Sequence, residues 1–178
     1  MARTVVIAGV GPGLGESIAR RFAAEGCRAG LFARSASYLD DLAADLDGTA
    51  GAGLAVPTDL TDPDEIAAAV EAVRDAFGLV DVLVNHASAA SWDGLTDVSP
   101  ESFDRALAVG PKAALHCSQE AVPDMLESGC GTVIFTGATT SVRGREGAVG
   151  FSAAKFANRG LAESMARELG PEGIHVAH

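Results

Sequence analysis

Strand-like and helix-like segments alternate along the whole chain, and this alternation restricts the fold more than any other feature of the sequence. The first two strands are predicted at 4–10 and 28–34, and the helices that follow them at 13–26 and near 36–47. Such a series forms right-handed βαβ units, which place parallel strands in one sheet with helices on both faces. The strand segments are apolar throughout, as in strands that are covered on both sides. We therefore predict an α/β fold built on a doubly wound parallel sheet.

The remaining segments continue the pattern. Later strands are predicted within 53–62, 80–88 and 132–139 and from residue 174, and later helices at 64–78, 99–126 and 148–170. Ser99 is a suitable cap for the helix at 99–126, and Pro100 occupies its first position. Gly110-Pro111 is predicted to interrupt this helix, because proline lacks a backbone N–H.

Length and charge limit the possible functions. At 178 residues the chain fits one domain, 1–178, with a substantial core. The net charge of −11 argues against nucleic acid or an anionic membrane as a partner, because both require a basic surface. The acidity has two interpretations, adaptation to a salt-rich cytoplasm or simple solubility, and we favour solubility. There is no uninterrupted apolar run of about 18 residues, so a membrane span is not expected.

The cysteines indicate a reducing environment. Cys27, Cys117 and Cys130 are odd in number and widely spaced, without a CxxC pair. This arrangement fits reduced thiols better than a disulfide framework or a zinc site. No signal peptide is recognisable, because the apolar N-terminus is short and runs directly into a glycine-rich turn. We predict a cytoplasmic protein without a metal site.

The turn AGVGPGLGES between the first strand and the first helix predicts a dinucleotide site. It contains Gly9, Gly11, Gly13 and Gly15, and Leu14 lies at the start of the helix. Bare backbone allows a tight turn and the close approach of a pyrophosphate, and the N-terminus of the helix favours negative charge. A purely structural turn is the alternative. The position directly after the first strand of a βαβ series favours the dinucleotide, and with it a Rossmann-type sheet.

The end of the second strand predicts which dinucleotide is bound. A carboxylate at this position accepts hydrogen bonds from the ribose of NAD, whereas an arginine pairs with the 2′-phosphate of NADP. The sequence has Ala33-Arg34-Ser35 here and no carboxylate before Asp40. We therefore predict that NADP(H) is preferred and that NAD is possible, the alternative being that Arg34 is a solvated surface residue.

Four motifs, taken in order, resemble those of the short-chain dehydrogenase/reductase family over essentially the entire chain. They are the glycines 9, 13 and 15 of a TGxxxGxG turn with Ala8 in place of threonine, Asp59 and Leu60 in TDLTD, Asn85, His86 and Ala87 in a variant of DxLVNNAG, and Lys155 in a variant of YxxxK. The resemblance implies a Rossmann-type sheet in the order 3-2-1-4-5-6, a nicotinamide cofactor held by these residues, and Asp59 near the adenine. It also implies a homodimer or homotetramer formed through the helices at 99–126 and 148–170.

The catalytic residues that the resemblance implies are mostly replaced. The family uses a tyrosine as proton donor or acceptor, a serine that orients the carbonyl, an asparagine in a proton relay, and a lysine. The corresponding positions hold Phe151, Ala138, Gly110 and Lys155. A phenyl ring cannot exchange a proton, and a positioned acid contributes typically ~10²–10⁴-fold to a rate. Only the lysine matches, which fits a lysine that binds the ribose of the cofactor independently of the proton. The alternative is an ordinary solvated lysine.

Three further residues are candidates for the missing chemistry. Thr139 and Thr140 follow the serine position and carry hydroxyls that suit a hydrogen bond to a substrate oxygen, although they are weak acids. His86 follows the fourth strand, at the edge of the sheet where ligands bind, and imidazole titrates in a useful pH range. A structural role for His86 is the favoured interpretation.

Two functions remain open from the sequence. The first is an NADP(H)-dependent oxidoreductase that acts on a small alcohol or carbonyl substrate with a degraded catalytic tetrad. The second is a non-catalytic NADP(H)-binding protein, such as a redox sensor or a non-catalytic subunit. Relatives of the family continue into a substrate lid and a seventh strand, whereas this chain ends at His178. We expect either that a longer product supplies these parts or that another subunit covers the last strand.

Overall fold

The computed structural model describes residues 2–178, and its sheet has the predicted topology. Six parallel strands are arranged in the order β3-β2-β1-β4-β5-β6. The strands are β1 (Thr4–Ala8), β2 (Arg28–Ala33), β3 (Ala52–Pro57), β4 (Val82–Asn85), β5 (Gly131–Phe135) and β6 (Ile174–Ala177). The helices are α1 (Leu14–Ala24), α2 (Ala36–Asp47), α3 (Pro63–Phe77), α4 (Pro100–Leu107), α5 (Ala113–Ser128) and α6 (Val149–Leu169). The prediction of a doubly wound, Rossmann-type sheet in the order 3-2-1-4-5-6 is confirmed.

Two apolar cores, one on each face of the sheet, explain why the strands are apolar throughout. Successive residues of β1 alternate between them: Val6 packs with α3, α5 and α6, whereas Val5 and Ile7 pack with α1 and α2. All five residues of β1 are buried. Because side chains alternate across a strand, a strand covered on both faces requires apolar residues at every position.

The helix predicted at 99–126 continues through the glycine-proline pair. Residues Ala108–Lys112 form a π-helical turn that joins α4 to α5. The wider turn accommodates Pro111, which lacks an N–H and would clash with a carbonyl in a regular α-helix. The predicted interruption is therefore a local change of helix type. Buried Gly110 faces α6, where a Cβ atom on Gly110 would lie 3.4 Å from Cβ of Ala154.

A buried carboxylate connects the helices on one face of the sheet. Asp124 of α5 accepts hydrogen bonds from Nε of Arg74 at 3.0 Å and from the backbone N–H of Val80 at 2.9 Å. Its side chain is 7% exposed, and that of Arg74 is 23% exposed. The carboxylate therefore accepts hydrogen bonds both from an arginine on α3 and from the backbone segment that leads into β4.

Replacing Asp124 should destabilise the fold strongly. Asp124→Ala leaves a partly buried guanidinium and a backbone N–H without their acceptor, so we expect a loss of about 3 kcal/mol in the free energy of unfolding. Urea denaturation at neutral pH measures this loss. Glu71→Ala is the matched control, because Glu71 pairs with the same arginine but is 63% exposed, and it should cost less than about 1 kcal/mol. Equal losses for the two variants would contradict this account.

Candidate functional site

The loops that follow β1, β2, β3 and β4 surround a cavity of about 570 Å³. It lies at the carboxyl edge of the sheet, where the strand order reverses between β1 and β4. Such a reversal opens a crevice because neighbouring connections pass to opposite faces of the sheet. The lining residues are Gly9, Val10, Gly11, Pro12, Ala33, Arg34, Thr58, Asp59, Leu60, Thr61, His86, Ala87, Ser88, Ala89, Arg105 and Val109.

Glycines shape the β1–α1 side of this cavity. Gly9 has a φ of +103°, and a Cβ atom on it would lie 2.5 Å from the backbone N of Ala87. Gly13 has a φ of +105° and precedes α1 directly. Gly11, in contrast, has open space where its Cβ would be. The turn is therefore pressed against the end of β4 at Gly9 and presents bare backbone to the cavity at Gly11.

The electrostatics of the cavity suit an anion. The first turn of α1 offers N–H groups without intrahelical acceptors and the positive end of the helix dipole. Glu16, in that first turn, accepts hydrogen bonds from Tyr38 and from Nε of Arg20, both at 2.8 Å. These bonds lower the pKa of Glu16 and engage its carboxylate on the side chains of α1 and α2. The acidic residue in the first turn of α1 is thus paired with side chains rather than left free beside the turn.

Arg34 and Asp59 line the cavity at the ends of β2 and β3. Asp59 accepts hydrogen bonds from the backbone N–H of Thr61 at 2.9 Å and from its hydroxyl at 2.8 Å. These bonds lower the pKa of Asp59, and the charges of Arg34 and Arg105 add to the effect. Within residues 2–178, Arg34 forms no ion pair, so its exposed guanidinium is available to a ligand.

Lys155 is buried rather than solvated. Its side chain comes from α6, is 6% exposed, and donates a hydrogen bond from Nζ to the backbone oxygen of Thr136 at 2.9 Å. Burial lowers the pKa of the amine. The Phe151 ring, one turn earlier, has its centroid 5.6 Å from Nζ. The alternative that Lys155 is an ordinary surface lysine is therefore wrong.

His86 contacts the same residue as Lys155. Its Nδ1 lies 3.0 Å from the hydroxyl oxygen of Thr136, and its ring packs against the backbone of Gly15. Burial lowers the pKa of His86, and the positive charge of Lys155 lowers it further. The imidazole therefore connects the start of α1 to the residue that follows β5.

A second cavity, of about 550 Å³, lies on the other side of Phe151. It is lined by Trp92, Ala138, Thr139, Thr140, Arg143, Gly144, Arg145 and Phe151. The Phe151 ring packs on Trp92, with ring centroids 4.8 Å apart and planes inclined by 37°. Lys155, Phe151 and Trp92 thus form a continuous contact between the buried amine and this cavity.

The family model for short chain dehydrogenase matches residues 3–178. The chain belongs to the short-chain dehydrogenase family. It is 32% identical to an uncharacterized short-chain type dehydrogenase/reductase of Sinorhizobium fredii, an alignment that covers 98% of this chain and 71% of the relative. Some curated relatives are covered less completely: a 3alpha-hydroxysteroid dehydrogenase of Mediterraneibacter gnavus, 36% identical over 117 residues, is covered over 47% of its length.

Two solved structures of the family are similar to this chain. L-sorbose reductase from Gluconobacter frateurii, complexed with NADPH and L-sorbose, has a TM-score of 0.92 and 29% identity, with 98% of this chain and 67% of that chain covered. The 3-ketoacyl-(acyl-carrier-protein) reductase from Brucella melitensis, complexed with NADH, has a TM-score of 0.91 and 30% identity, with coverages of 98% and 74%.

The structure gathers most of the residues that the sequence singled out. The first cavity is lined by Gly9, Gly11, Arg34, Asp59, Leu60, His86 and Ala87, and the second by Thr139 and Thr140. Gly13, Leu14 and Gly15 form the adjacent start of α1, where Leu14 is 59% exposed. Asn85 is not among the residues that line the first cavity; its Nδ2 donates to the hydroxyl of Ser118, and its buried Oδ1 has no partner within residues 2–178. The ligand-binding roles of these residues stay predictions.

Arginines were the main omission from the sequence-based site. Arg105 of α4 lines the first cavity, and Arg143 and Arg145 line the second. No local motif marks them, because each reaches its cavity from a segment distant in sequence from the glycine turn. Trp92 packs on Phe151 but is 54% exposed and lines the second cavity.

No residue cluster suited to metal binding was found in the described part of the chain. Across residues 2–178, no group of three or more histidine, cysteine or acidic side chains converges. Nor does any helix in that range combine the length and apolar character that crossing a bilayer requires.

The stability of the protein should fall as His86 is protonated. Because its folded-state pKa is depressed, the unfolded chain binds a proton near pH 6.5, its ordinary value, before the folded chain does. Stability is therefore lost as the pH falls below about 6.5 and until the lower folded-state pKa is passed. We expect His86→Asn to reduce the loss of unfolding free energy between about pH 7 and pH 5, measured by urea denaturation.

His175→Gln provides the control for this measurement, because it removes an exposed imidazole of β6. The His86 ring proton resonances in NMR spectra should also titrate below pH 6.5. An unchanged pH slope in His86→Asn would show that the imidazole is not kept neutral by its surroundings.

Proposed function

We propose that this chain is an NADP(H)-binding oxidoreductase that transfers hydride between the nicotinamide and a small alcohol or carbonyl compound. The observation that carries the proposal is the glycine turn from Gly9 to Gly13, which opens onto a cavity of about 570 Å³ beside the unpaired Arg34. The two similar structures complexed with NADPH and NADH support a nicotinamide nucleotide as the ligand.

The residues around the first cavity fit the parts of such a nucleotide. Bare backbone at Gly11 and the N-terminus of α1 suit the pyrophosphate, because a Cβ atom at Gly11 or Gly13 would meet nothing within 4 Å. Arg34 suits a 2′-phosphate, because a guanidinium can form two parallel hydrogen bonds to phosphate oxygens. Asp59 and Leu60 offer the adenine a carboxylate oxygen and an apolar surface.

Lys155 is suited to holding the ribose next to the reacting ring. An ammonium group has three donors, and only one is used on the backbone oxygen of Thr136. The remaining donors can reach ligand hydroxyls from a side chain that burial already holds in place. The bound dihydronicotinamide supplies the hydride. Thr140 supplies a hydroxyl for the substrate oxygen from the second cavity.

The second candidate is a non-catalytic NADP(H)-binding protein, and Phe151 is the observation that favours it. The phenyl ring lies between Lys155 and Trp92 and has no proton to give to a developing alkoxide. A site of this kind retains the groups that hold the nucleotide while lacking the acid, which typically contributes ~10²–10⁴-fold to the rate. NADPH binding without consumption in a screen of carbonyl substrates would favour this candidate.

Arg34→Asp should reverse the nucleotide preference. We expect the wild-type protein to bind NADPH more tightly than NADH, and the variant to bind NADPH at least about tenfold more weakly, because a carboxylate repels the 2′-phosphate. Titration of nucleotide fluorescence with protein measures both affinities.

Gly11→Val is the companion variant that tests the phosphate-binding turn. A Cβ atom at Gly11 would meet nothing within 4 Å and the φ of Gly11 is not in the positive region, so the unfolding free energy should change little. Affinity for both nucleotides should nevertheless fall. No measurable affinity of the wild-type protein for either nucleotide would refute the proposed function, and an unchanged NADPH/NADH ratio in Arg34→Asp would refute the preference for NADP.

Phe151→Tyr tests whether the missing acid limits turnover. The new hydroxyl would extend a ring whose centroid is 5.6 Å from the ammonium of Lys155, and a nearby positive charge stabilises a phenolate. We expect any residual carbonyl reduction, followed by NADPH absorbance, to rise by about 10²-fold or more.

Phe156→Tyr is the matched control for this experiment. It adds the same hydroxyl one residue after Lys155, at a position 45% exposed. This variant should leave the rate unchanged. No gain in Phe151→Tyr would mean that the replacements at Ala138 and Gly110 limit the reaction instead.

A further inference from the structure

The lining of the second cavity combines two arginines with aromatic and hydroxyl side chains, and it contains no acidic residue. Arg143 and Arg145 both lie in the loop before α6 and are exposed. In the chain from residue 2 to residue 178, neither guanidinium is within ion-pair distance of a carboxylate, even though the net charge is −11. Two unpaired cations at one cavity therefore remain available to an anionic ligand.

Arg145 is held in place at this cavity. The centre of its guanidinium lies 5.2 Å from the centroid of the Trp92 ring, and Trp92 packs on Phe151. The backbone N–H of Arg145 also donates to the hydroxyl of Ser152 at 3.3 Å. A guanidinium that rests on an aromatic ring keeps its N–H donors free, because these point outward in its own plane. The contact thus reduces the entropy that a bidentate bond to a carboxylate would cost.

A buried hydroxyl at the same cavity lacks a partner. Thr140 is 5% exposed, and within residues 2–178 its Oγ1 forms no hydrogen bond. Buried polar groups are normally paired, and an unpaired one costs free energy that a ligand oxygen can recover. This observation is independent of the arginines and indicates that an oxygen-bearing ligand completes the cavity.

We propose that the second cavity binds an organic anion, and that the substrate is a small carbonyl compound or alcohol that carries a carboxylate. Arg145 binds the carboxylate, Arg143 adds positive charge, and Thr140 donates to an oxygen of the same molecule. The volume of about 550 Å³ suits a molecule of this size. The inference rests on the proposed function, because the nucleotide cavity identifies the second cavity as its substrate counterpart.

Ligand-observed NMR titration with a matched pair of probes tests this inference without requiring turnover. The probes are 4-formylbenzoate and its uncharged methyl ester, each titrated into protein that is saturated with NADP⁺, so that the aldehyde is not reduced. We expect the carboxylate to bind at least about tenfold more tightly than the ester, as charge-assisted hydrogen bonds require. Arg145→Met should remove most of this preference, and Arg145→Lys should restore part of it.

Arg3→Met is the matched control, because it removes one exposed arginine just before β1, at the opposite edge of the sheet. The control should keep the wild-type preference for the carboxylate. Equal affinities for the two probes in protein that binds NADP⁺ would overturn this inference and leave the proposed function standing. The inference would also be overturned if an Arg143→Met, Arg145→Met double variant still bound the carboxylate more tightly than the ester. Failure to bind NADP⁺ in the same samples would overturn both.

Discussion

The close approach of two chain segments at the centre of the sheet is the constraint on which the rest of the site depends. β1 and β4 are adjacent, and at their carboxyl ends Gly9 lies so near Ala87 that a Cβ atom would be 2.5 Å from its backbone nitrogen. This contact allows the connection after β1 to turn toward α1 while β4 leads to the other face. The crevice that results receives the loops after β2 and β3, which bring Arg34 and Asp59 to the same cavity. A side chain at Gly9 would push these loops apart. The absence of a Cβ atom at this position is therefore needed both for the strand connection and for the shape of the cavity.

The buried lysine is the second constraint, because a buried charge without a carboxylate is costly. Lys155 forms no ion pair within residues 2–178 and relies on one carbonyl oxygen and the face of Phe151. Burial accordingly lowers its pKa. A purely structural position would tolerate an apolar residue at lower cost, since replacing buried ions by apolar groups is often neutral or stabilising. The buried amine therefore fits the proposal that a ligand uses its free donors.

The sequence predicted the fold well because the relevant signals are local. The apolar runs and the glycine turn each lie within a single strand–turn–helix unit, so the doubly wound α/β class followed from pattern alone. The strand order was implied by the family resemblance, and the structure confirmed it. The Gly110-Pro111 pair was predicted to interrupt the helix, whereas the structure accommodates it in a π-helical turn that continues the helix. The contact of Arg145 with Trp92 joins segments more than fifty residues apart and has no sequence signature. Non-local contacts of this kind require the folded backbone before they can be recognised.

The distribution of charge explains how an acidic protein can attract anionic ligands. The net charge of −11 repels anions at long range, but charges separated by more than a Debye length of about 10 Å are largely screened at moderate ionic strength. Local fields then decide binding. Within residues 2–178, the arginines that line both cavities form no ion pair, and Asp59 is the single carboxylate among the lining residues. That carboxylate is engaged by Thr61. Acidic residues elsewhere therefore do little to oppose an anion at the cavities. Because the Phe151 ring lies between the amine of Lys155 and the indole of Trp92, it is the surface on which the proposed nucleotide and substrate would meet, whether or not a proton follows the hydride.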